Sequence, residues 1–403
     1  MEEKAGWEDV EVVIVGPGLM GSNIAQAYAQ NGVPVGVIGR SEATLQRSMA
    51  IIERELKDGV AKGIFSPMEA KEIRQRILHG LSLEDASRAN KVQLVIESIA
   101  EDLSSKKGLL EKIDELFPPA AVLATITSCQ DAEVLAKALR RPERFVWMHF
   151  FFPAHKNKAG ELAPLSWTSE DSLKVSDLYF RKARKEPVRL LRYRKGGAAN
   201  VIFIALLLEA ARLMEEGFNA AGVEQASREA FSQPVGFASL LSQTGQKLAT
   251  SCLASFSDSS SPDHPFHRVY DNFFSPPKPL PAGTMTPLPF PGVVAGEEKT
   301  IDAMALDYLK RRFLAVAFMT ATEVVEAGLL PPRDVDKLCR MAFAWPQGPF
   351  GLMNRIGLRE SLRMVTEKME LSHRREINFP VPRLLIEQAQ RDEPWPDVQS
   401  LPS

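Results

Sequence analysis

The chain has 403 residues, which is enough for two or three domains because a typical domain takes about 150 residues. Apolar residues make up 45% and charged residues 25% of the chain, a composition that excludes a disordered protein. The 49 Lys and Arg residues nearly balance the 51 Asp and Glu residues, and the net charge of -2 excludes an overall basic field for nucleic acid.

Short β-branched segments alternate with longer amphipathic stretches from residue 11 to about residue 195. This alternation predicts an α/β fold, in which a doubly wound parallel sheet is joined by helical crossovers. Residues 42–90 place apolar side chains three and four positions apart, which predicts a helical hairpin inserted between the second and third strands. The predicted strands are EVVIV, PVGVI, VQLVIE, AVLAT, RFVWMHF and PVRLLRY.

A glycine-rich motif, GPGLMG at 16–21, directly follows the first predicted strand and opens the first predicted helix. The first glycine allows a tight turn, the second lets a pyrophosphate approach the backbone, and the third lets the helix contact the strand. The order of strand, turn and helix predicts a Rossmann-type dinucleotide site. The predicted cofactor contacts in this motif are Gly16, Gly18, Leu19, Met20 and Gly21.

The second predicted strand ends at Gly39-Arg40-Ser41, where an NAD-binding chain usually carries a carboxylate for the ribose 2′-OH. An Arg and a hydroxyl would accommodate a 2′-phosphate instead. The predicted cofactor is therefore NAD, with NADP as an open alternative and Arg40 as its contact. In the other interpretation Arg40 is a solvated loop residue and Ser41 only caps the next helix.

From Asn200 onward the apolar positions follow helical periods, which predicts an all-α region. Two tandem helical units are predicted within it, because matching residues recur at one offset of 112. Between them, residues 255–296 hold nine prolines and a Ser-rich stretch, so regular structure is not expected there. The matched positions are Val223 with Val335, Ala230-Phe231 with Ala342-Phe343, Pro234 with Pro346, Gly236 with Gly348, and Gly245 with Gly357.

These patterns divide the chain into five predicted parts. Residues 1–195 form the NAD(P)-binding domain with its hairpin, and 196–254 the first helical unit. Residues 255–300 form a linker or excursion, 301–375 the second helical unit, and 376–403 a loosely held tail.

The cysteines and the apolar runs indicate a cytoplasmic protein. Cys129, Cys252 and Cys339 are odd in number and too far apart for a CxxC motif, which indicates a reduced protein without a metal site. The acidic N-terminus lacks the order of a signal peptide. The longest apolar run, Val201 to Leu208, falls well short of the roughly 20 residues that span a bilayer, so no membrane segment is expected.

Four further features carry a resemblance to a known family. They are ITSCQ at 126–130, HFFFP at 149–153, a Glu twelve residues after the His, and an Asn that opens the helical region. Together with the glycine-rich motif they resemble the L-3-hydroxyacyl-CoA dehydrogenase family over residues 11–245. Residues 301–358 are similar to the duplicated C-terminal unit of its longer members. No counterpart of the enoyl-CoA hydratase domain of multifunctional members is present.

The resemblance implies a catalytic set of Ser128, His149, Glu161 and Asn200. Chemistry supports these residue types, because oxidising a secondary alcohol requires a base such as His to remove the hydroxyl proton. A carboxylate would stabilise the resulting imidazolium, and Ser and Asn would bond the reacting oxygen. Taken singly, each residue also has a structural interpretation: a core histidine, two helix caps and a surface carboxylate.

The resemblance also implies further ligand contacts. In VIESIAEDLSSKK, Glu101 and Lys106 match a family segment that lies by the nicotinamide, and they are predicted cofactor contacts. The adenine and phosphates of CoA would meet the helical hairpin. The cations available there are Arg47, Lys57 and Lys62.

Three apolar residues, Ile126, Phe152 and Val201, stand where the family motifs have polar ones, which could redirect the substrate or lower activity.

The predicted function is the NAD(P)-dependent interconversion of an L-3-hydroxyacyl-CoA and a 3-ketoacyl-CoA in fatty-acid degradation. The alternatives are a dehydrogenase of a free 3-hydroxy acid and a non-catalytic dinucleotide-binding or partner protein. A homodimer through the helical domain is one expectation, although the duplicated units suggest that one chain completes some of those contacts internally.

Overall fold

The computed structural model describes residues 6–244, 301–374, 379 and 381–398. The chain divides into two compact units, Met1–Tyr193 and Arg194–Ser403. The predictions for the Pro-rich segment 255–300, for Cys252 and for Gly245 lie outside the described residues. Within the described residues, no helix combines the length and the hydropathy that crossing a membrane requires.

An eight-stranded sheet forms the centre of the first unit, in the order β3-β2-β1-β4-β5-β6-β7-β8. The first six strands are parallel, β7 is antiparallel to β6, and β8 is parallel to β7. The strands are β1 Val12–Val15, β2 Val35–Ile38, β3 Ile77–Gly80, β4 Leu94–Glu97, β5 Val122–Thr125, β6 Phe145–Phe150, β7 Ala159–Ala163 and β8 Glu186–Arg189.

The continuous apolar runs of the central strands explain the parallel sheet. Strands β1, β2, β4, β5 and β6 are buried along their whole length, as expected where both faces of a parallel sheet are covered. The predicted doubly wound α/β fold is therefore confirmed. The last predicted strand, PVRLLRY, is shorter than expected and ends at Arg189.

Two strands were missing from the prediction. Strand β3 lies inside the segment predicted as a helical hairpin, because Ile77 and Leu78 continue its apolar pattern without a breaking residue and pair with β2. Strand β7, with the sequence AGELA, has no β-branched residue and depends on its pairing with β6 and β8. Both are cases in which tertiary pairing outweighs local propensity.

Seven helices connect the strands in the described part of the first unit. Helix α2 begins at a capping box formed by Ser41 and Thr44, and α3 begins at a second one formed by Ser66 and Glu69. The helices are α1 Leu19–Ala29, α2 Glu42–Ala61, α3 Pro67–Gln75, α4 Leu83–Ser87, α5 Leu103–Leu116, α6 Ala132–Ala136 and α7 Glu170–Lys182.

The described part of the second unit is helical. Adding 112 to the bounds of α10 gives those of α13, and the same offset carries α9 onto α12 within one residue. The helices are α8 Ala199–Glu215, α9 Ala220–Phe231, α10 Phe237–Thr244, α11 Ala303–Glu326, α12 Pro332–Ala342, α13 Pro349–Ile356, α14 Leu358–His373 and α15 Arg383–Arg391.

The two copies also share a capping contact. The carboxylate of Glu224 accepts hydrogen bonds from the backbone N–H groups of Gly236 and Ser239, before and inside α10. At the equivalent position, Asp336 accepts from Phe350 and Gly351 in α13. A carboxylate at a helix N-terminus satisfies free N–H groups and complements the helix dipole.

The prediction of a loosely held tail from residue 376 is wrong for its described part. Helix α15 buries Leu385 and Ala389, and the Trp395 side chain beyond it is only 6% exposed. The backbone of Trp395 exchanges two hydrogen bonds with the side chain of Asn354. This short helix is stabilised by the packing of its apolar face. The Pro-rich sequence around it gives no sign of that packing.

Candidate active site

The glycine-rich loop has the form of a phosphate cradle. Gly16 has a φ of 116°, which favours glycine, and a Cβ there would lie 2.4 Å from the Ser98 carbonyl oxygen. A Cβ on Gly21 would lie 2.0 Å from the Gly16 oxygen, so only glycine lets α1 start so close to the turn. Gly18 is exposed, with no atom within 4 Å of its Cβ position. These three positions fit a pyrophosphate at the N-terminus of α1.

The remaining predicted contacts of this motif lie in the first turn of α1. Leu19 is 49% exposed and Met20 is half-buried. At the end of β2, Arg40 is exposed and Ser41 caps α2. The structural interpretation of Ser41 therefore applies, while the side chain of Arg40 remains open to solvent.

Ser128, His149 and Glu161 form a chain of hydrogen bonds in the first unit. Ser128 Oγ lies 3.2 Å from His149 Nε2, and His149 Nδ1 lies 2.9 Å from Glu161 Oε2. His149 is 4% exposed and Glu161 is fully buried, so Glu161 is not the surface carboxylate of the structural interpretation.

Strand register brings the His and the Glu together. His149 on β6 is the direct partner of Glu161 on β7 in the antiparallel pair, so their side chains project from the same face of the sheet. Ser128 follows β5, the other neighbour of β6. It does not cap the next helix, because Asp131 does.

Two aromatic residues that the sequence analysis did not single out hold the imidazole ring. Trp147 stacks on His149 with ring centroids 5.2 Å apart and planes at 11°, and its indole N–H donates to the Thr127 carbonyl at 2.8 Å. Phe151 contacts the ring by its edge at 4.8 Å. The rings of Trp147, His149 and Phe151 recur at a spacing of two along β6 and the residue that follows it, a signal that the sequence WMHFF contains.

Glu101 and Lys106 make polar contacts next to Ser128 and at the end of β4. Glu101 accepts hydrogen bonds from the Ser128 backbone N–H at 2.7 Å and from Thr127 Oγ1 at 2.6 Å. Lys106 is only 1% exposed, and its ammonium donates to Glu97 Oε1 at 2.8 Å. Lys106 is thus buried in an ion pair with Glu97, the last residue of β4.

The loop between β6 and β7 is tied to several elements. His155 bridges α1 and α2, with Nδ1 2.9 Å from Asn23 Oδ1 and Nε2 3.1 Å from Glu55 Oε2. The ammonium of Lys185 donates to the carbonyls of Ala154 and Asn157. Burial lowers the pKa of Lys185 to about 8, and burial also lowers the pKa of His155. These contacts fix the loop that joins the strands of His149 and Glu161.

The other predicted residues belong to other elements. Asn200 belongs to the second unit, where it is the second residue of α8 and not its cap. The three cations predicted to meet CoA are all exposed. Arg47 and Lys57 lie on α2, and Lys62 directly follows that helix.

A Rossmann-type sheet with a glycine cradle at the start of α1 is typical of dinucleotide-dependent dehydrogenases, and the Ser-His-Glu chain beside it supplies a base for such chemistry. Residues 11–193 match the family described as 3-hydroxyacyl-CoA dehydrogenase, NAD binding domain, and residues 308–390 match the corresponding C-terminal domain. The mitochondrial hydroxyacyl-coenzyme A dehydrogenase of Sus scrofa is 30% identical over 239 residues, which are 58% of this chain and 76% of that protein. The chain belongs to the 3-hydroxyacyl-CoA dehydrogenase family.

Two further likenesses are informative. The fatty acid oxidation complex subunit alpha of Idiomarina loihiensis is 30% identical over 250 residues, 62% of this chain, but the chain spans only 34% of that protein. The crystal structure of 3-hydroxybutyryl-CoA dehydrogenase from Escherichia coli K12 superposes with a TM-score of 0.73 at 20% identity, covering 95% of this chain and 99% of that one. At that identity the likeness shows a shared fold.

Proposed function

We propose that the protein interconverts L-3-hydroxyacyl-CoA and 3-ketoacyl-CoA by hydride transfer with a nicotinamide dinucleotide. The observation that carries the proposal is the continuous chain from Ser128 Oγ through His149 to Glu161, with links of 3.2 and 2.9 Å. Family membership supports the proposal, and so does the pig relative named hydroxyacyl-coenzyme A dehydrogenase. Fatty-acid degradation is the proposed setting, supported by the relatives named as fatty acid oxidation subunits.

The geometry supports a proton-transfer role for His149. Its Nδ1 faces a carboxylate, which can only accept, so Nδ1 carries the proton and Nε2 presents a lone pair. Nε2 then takes the proton of the substrate hydroxyl as the C3 carbonyl forms. Glu161 stabilises the imidazolium, and Ser128 Oγ bonds the reacting oxygen where charge develops. Asn200 is proposed as a second hydrogen-bond partner of that oxygen.

A bound nicotinamide dinucleotide would supply the acceptor for the hydride of C3. Gly16, Gly18 and Gly21 form the cradle for its pyrophosphate. Glu101 holds the Ser128 backbone, so its proposed role at the nicotinamide includes positioning the catalytic hydroxyl. We propose Lys106 as a further cofactor contact, held in place at the end of β4 by its ion pair with Glu97.

We further propose that the protein accepts NADPH, and that Arg40 binds the 2′-phosphate. Arg40 is exposed at the end of β2, where a carboxylate would be needed to select NADH. An Arg40→Ala variant should lower kcat/KM for NADPH by about tenfold to a hundredfold and leave kcat/KM for NADH nearly unchanged, since a charge-assisted contact to phosphate contributes about 1.5–3 kcal/mol. Equal effects on the two cofactors would contradict the role of Arg40. Position 39 is unsuitable for the test, because a Cβ there would lie 2.7 Å from Leu45 Cδ2.

The function is tested by following the oxidation of NADH and of NADPH with acetoacetyl-CoA, a longer 3-ketoacyl-CoA and free acetoacetate. We expect turnover that requires the CoA moiety. Turnover with free acetoacetate at equal efficiency would instead support a free 3-hydroxy acid as the substrate. Cofactor binding without turnover of any acceptor would support a non-catalytic protein. The cytoplasmic location and the oligomeric state stay predictions.

A further inference from the structure

The three apolar residues that stand in place of polar family residues differ in their surroundings. Ile126 is half-buried and packs against the hydrophobic core of the sheet. Val201 is 1% exposed in α8. Hydrophobic burial accounts for these two residues. Phe152, however, is 59% exposed, so packing does not account for a large apolar side chain at that position.

Phe152 is presented by a fixed loop beside the catalytic histidine. It lies three residues after His149, and the preceding Phe151 is buried against the His149 ring. On its other side, His155 and Lys185 tie the following residues to α1, α2 and the start of β8. The Phe152 side chain is therefore held in solvent at the carboxyl end of β6, the edge of such a sheet where ligands bind.

We propose that Phe152 is a specificity-determining residue that contacts the hydrocarbon chain of the acyl group and favours longer 3-ketoacyl-CoA substrates over acetoacetyl-CoA. This inference rests on the proposed function. The phenyl ring has no hydrogen-bonding atom for a polar substrate group, but it gains from burial against methylenes, whose removal from water drives binding. Because the loop is already ordered, little entropy is lost when a chain packs on it.

The test compares kcat/KM for 3-ketodecanoyl-CoA and acetoacetyl-CoA in wild type, Phe152→Ala and Phe152→Leu. We expect the ratio of the two values to fall about tenfold in Phe152→Ala, in line with loss of an apolar contact area of side-chain size. Phe152→Leu should retain most of the ratio because it restores an apolar surface. The matched control is Leu178→Ala on α7, which removes a side chain that is 51% exposed.

Binding of decanoyl-CoA and acetyl-CoA, measured by calorimetry, provides a readout that does not need turnover. A loss of affinity for decanoyl-CoA alone in Phe152→Ala supports the inference. An unchanged ratio in an active Phe152→Ala enzyme overturns it and leaves the proposed function standing. A wild-type protein that neither turns over nor binds any acyl-CoA contradicts both.

Discussion

Glu161 has the setting of a carboxylate that controls a neighbouring imidazole. It is fully buried and lies 2.9 Å from His149 Nδ1, on the strand position directly opposite. Such a carboxylate fixes the tautomer and stabilises the protonated ring in the transition state. A neutral amide of the same size keeps the packing but removes the charge.

We therefore expect Glu161→Gln to lower kcat by about a hundredfold to ten-thousandfold while KM changes little. Steady-state oxidation of NADH with a 3-ketoacyl-CoA measures both constants. The matched control is Glu170→Gln, which changes an exposed carboxylate that pairs with Arg189 at the surface. Activity within a factor of three of wild type in Glu161→Gln would show that His149 does not need its partner.

The start of α1 combines two glycines with different structural demands. At Gly18 an added methyl group meets open space, and at Gly21 it meets the Gly16 carbonyl at 2.0 Å. Gly18→Ala should therefore fold with an unchanged Tm but bind NADH more weakly, because the methyl group would occupy the pyrophosphate cradle. Gly21→Ala should lower Tm as well, since α1 must move.

Fluorescence titration with NADH and thermal unfolding of both variants separate these effects. Full NADH affinity in Gly18→Ala would show that the pyrophosphate does not approach this turn.

The helices of the second unit enclose a buried carboxylate. Glu209 on α8 accepts from Arg312 Nε on α11 at 2.6 Å and pairs with Lys368 on α14 at 2.8 Å. Burial by itself raises the pKa of Glu209, but the charges of Lys368, Arg312 and Arg212 outweigh it and lower the pKa to about 2. The folded state thus keeps Glu209 ionised at a pH where the unfolded chain is protonated.

The contribution of Glu209 to the unfolding free energy depends on pH. The lowered pKa stabilises the fold fully above the ordinary value of 4.5, and this contribution is lost as the pH falls toward 2. Between wild type and Glu209→Gln, the difference in unfolding free energy should shrink by about 1 kcal/mol from pH 4.5 to pH 3.5. Urea unfolding at several pH values measures it. A difference that does not depend on pH in this range would contradict the assignment.

At the scale of the whole chain, the two helical copies meet through equivalent positions. Trp345 lies 112 residues after Gln233, and its indole N–H donates to Gln233 Oε1 at 2.6 Å. Phe231 stacks on Trp345 with ring centroids 4.1 Å apart and planes at 4°. Contact between equivalent residues is what a local twofold relation produces in a dimer. The duplicated chain makes this contact within itself.

We expect the protein to sediment as a monomer over the micromolar range, because an internal contact takes the place of one between chains. Sedimentation velocity of the wild-type protein measures this. A dimer that persists on dilution, and that Trp345→Ala dissociates, would contradict the internal arrangement.

The features that could be predicted from the sequence are those with a local signal. The glycine motif and the strand runs each lie within a short segment, and the residues that recur at the offset of 112 lie in short matching segments. The sheet and the paired helices therefore follow from pattern alone. The helix α15 and the strand β7 were missed because each depends on contacts with distant segments. The roles of Ser128 and His149 came from resemblance, and the structure adds the register that pairs His149 with Glu161.

The role of His149 as the base is tested by the turnover of a 3-ketoacyl-CoA with NADH in His149→Ala, with NADH affinity measured on the same preparation. We expect the variant to bind NADH as wild type does, because the glycine cradle is intact. We expect kcat to fall by at least about a thousandfold, since the base is gone. A variant that binds NADH and keeps its turnover would contradict the assignment of His149 as the base.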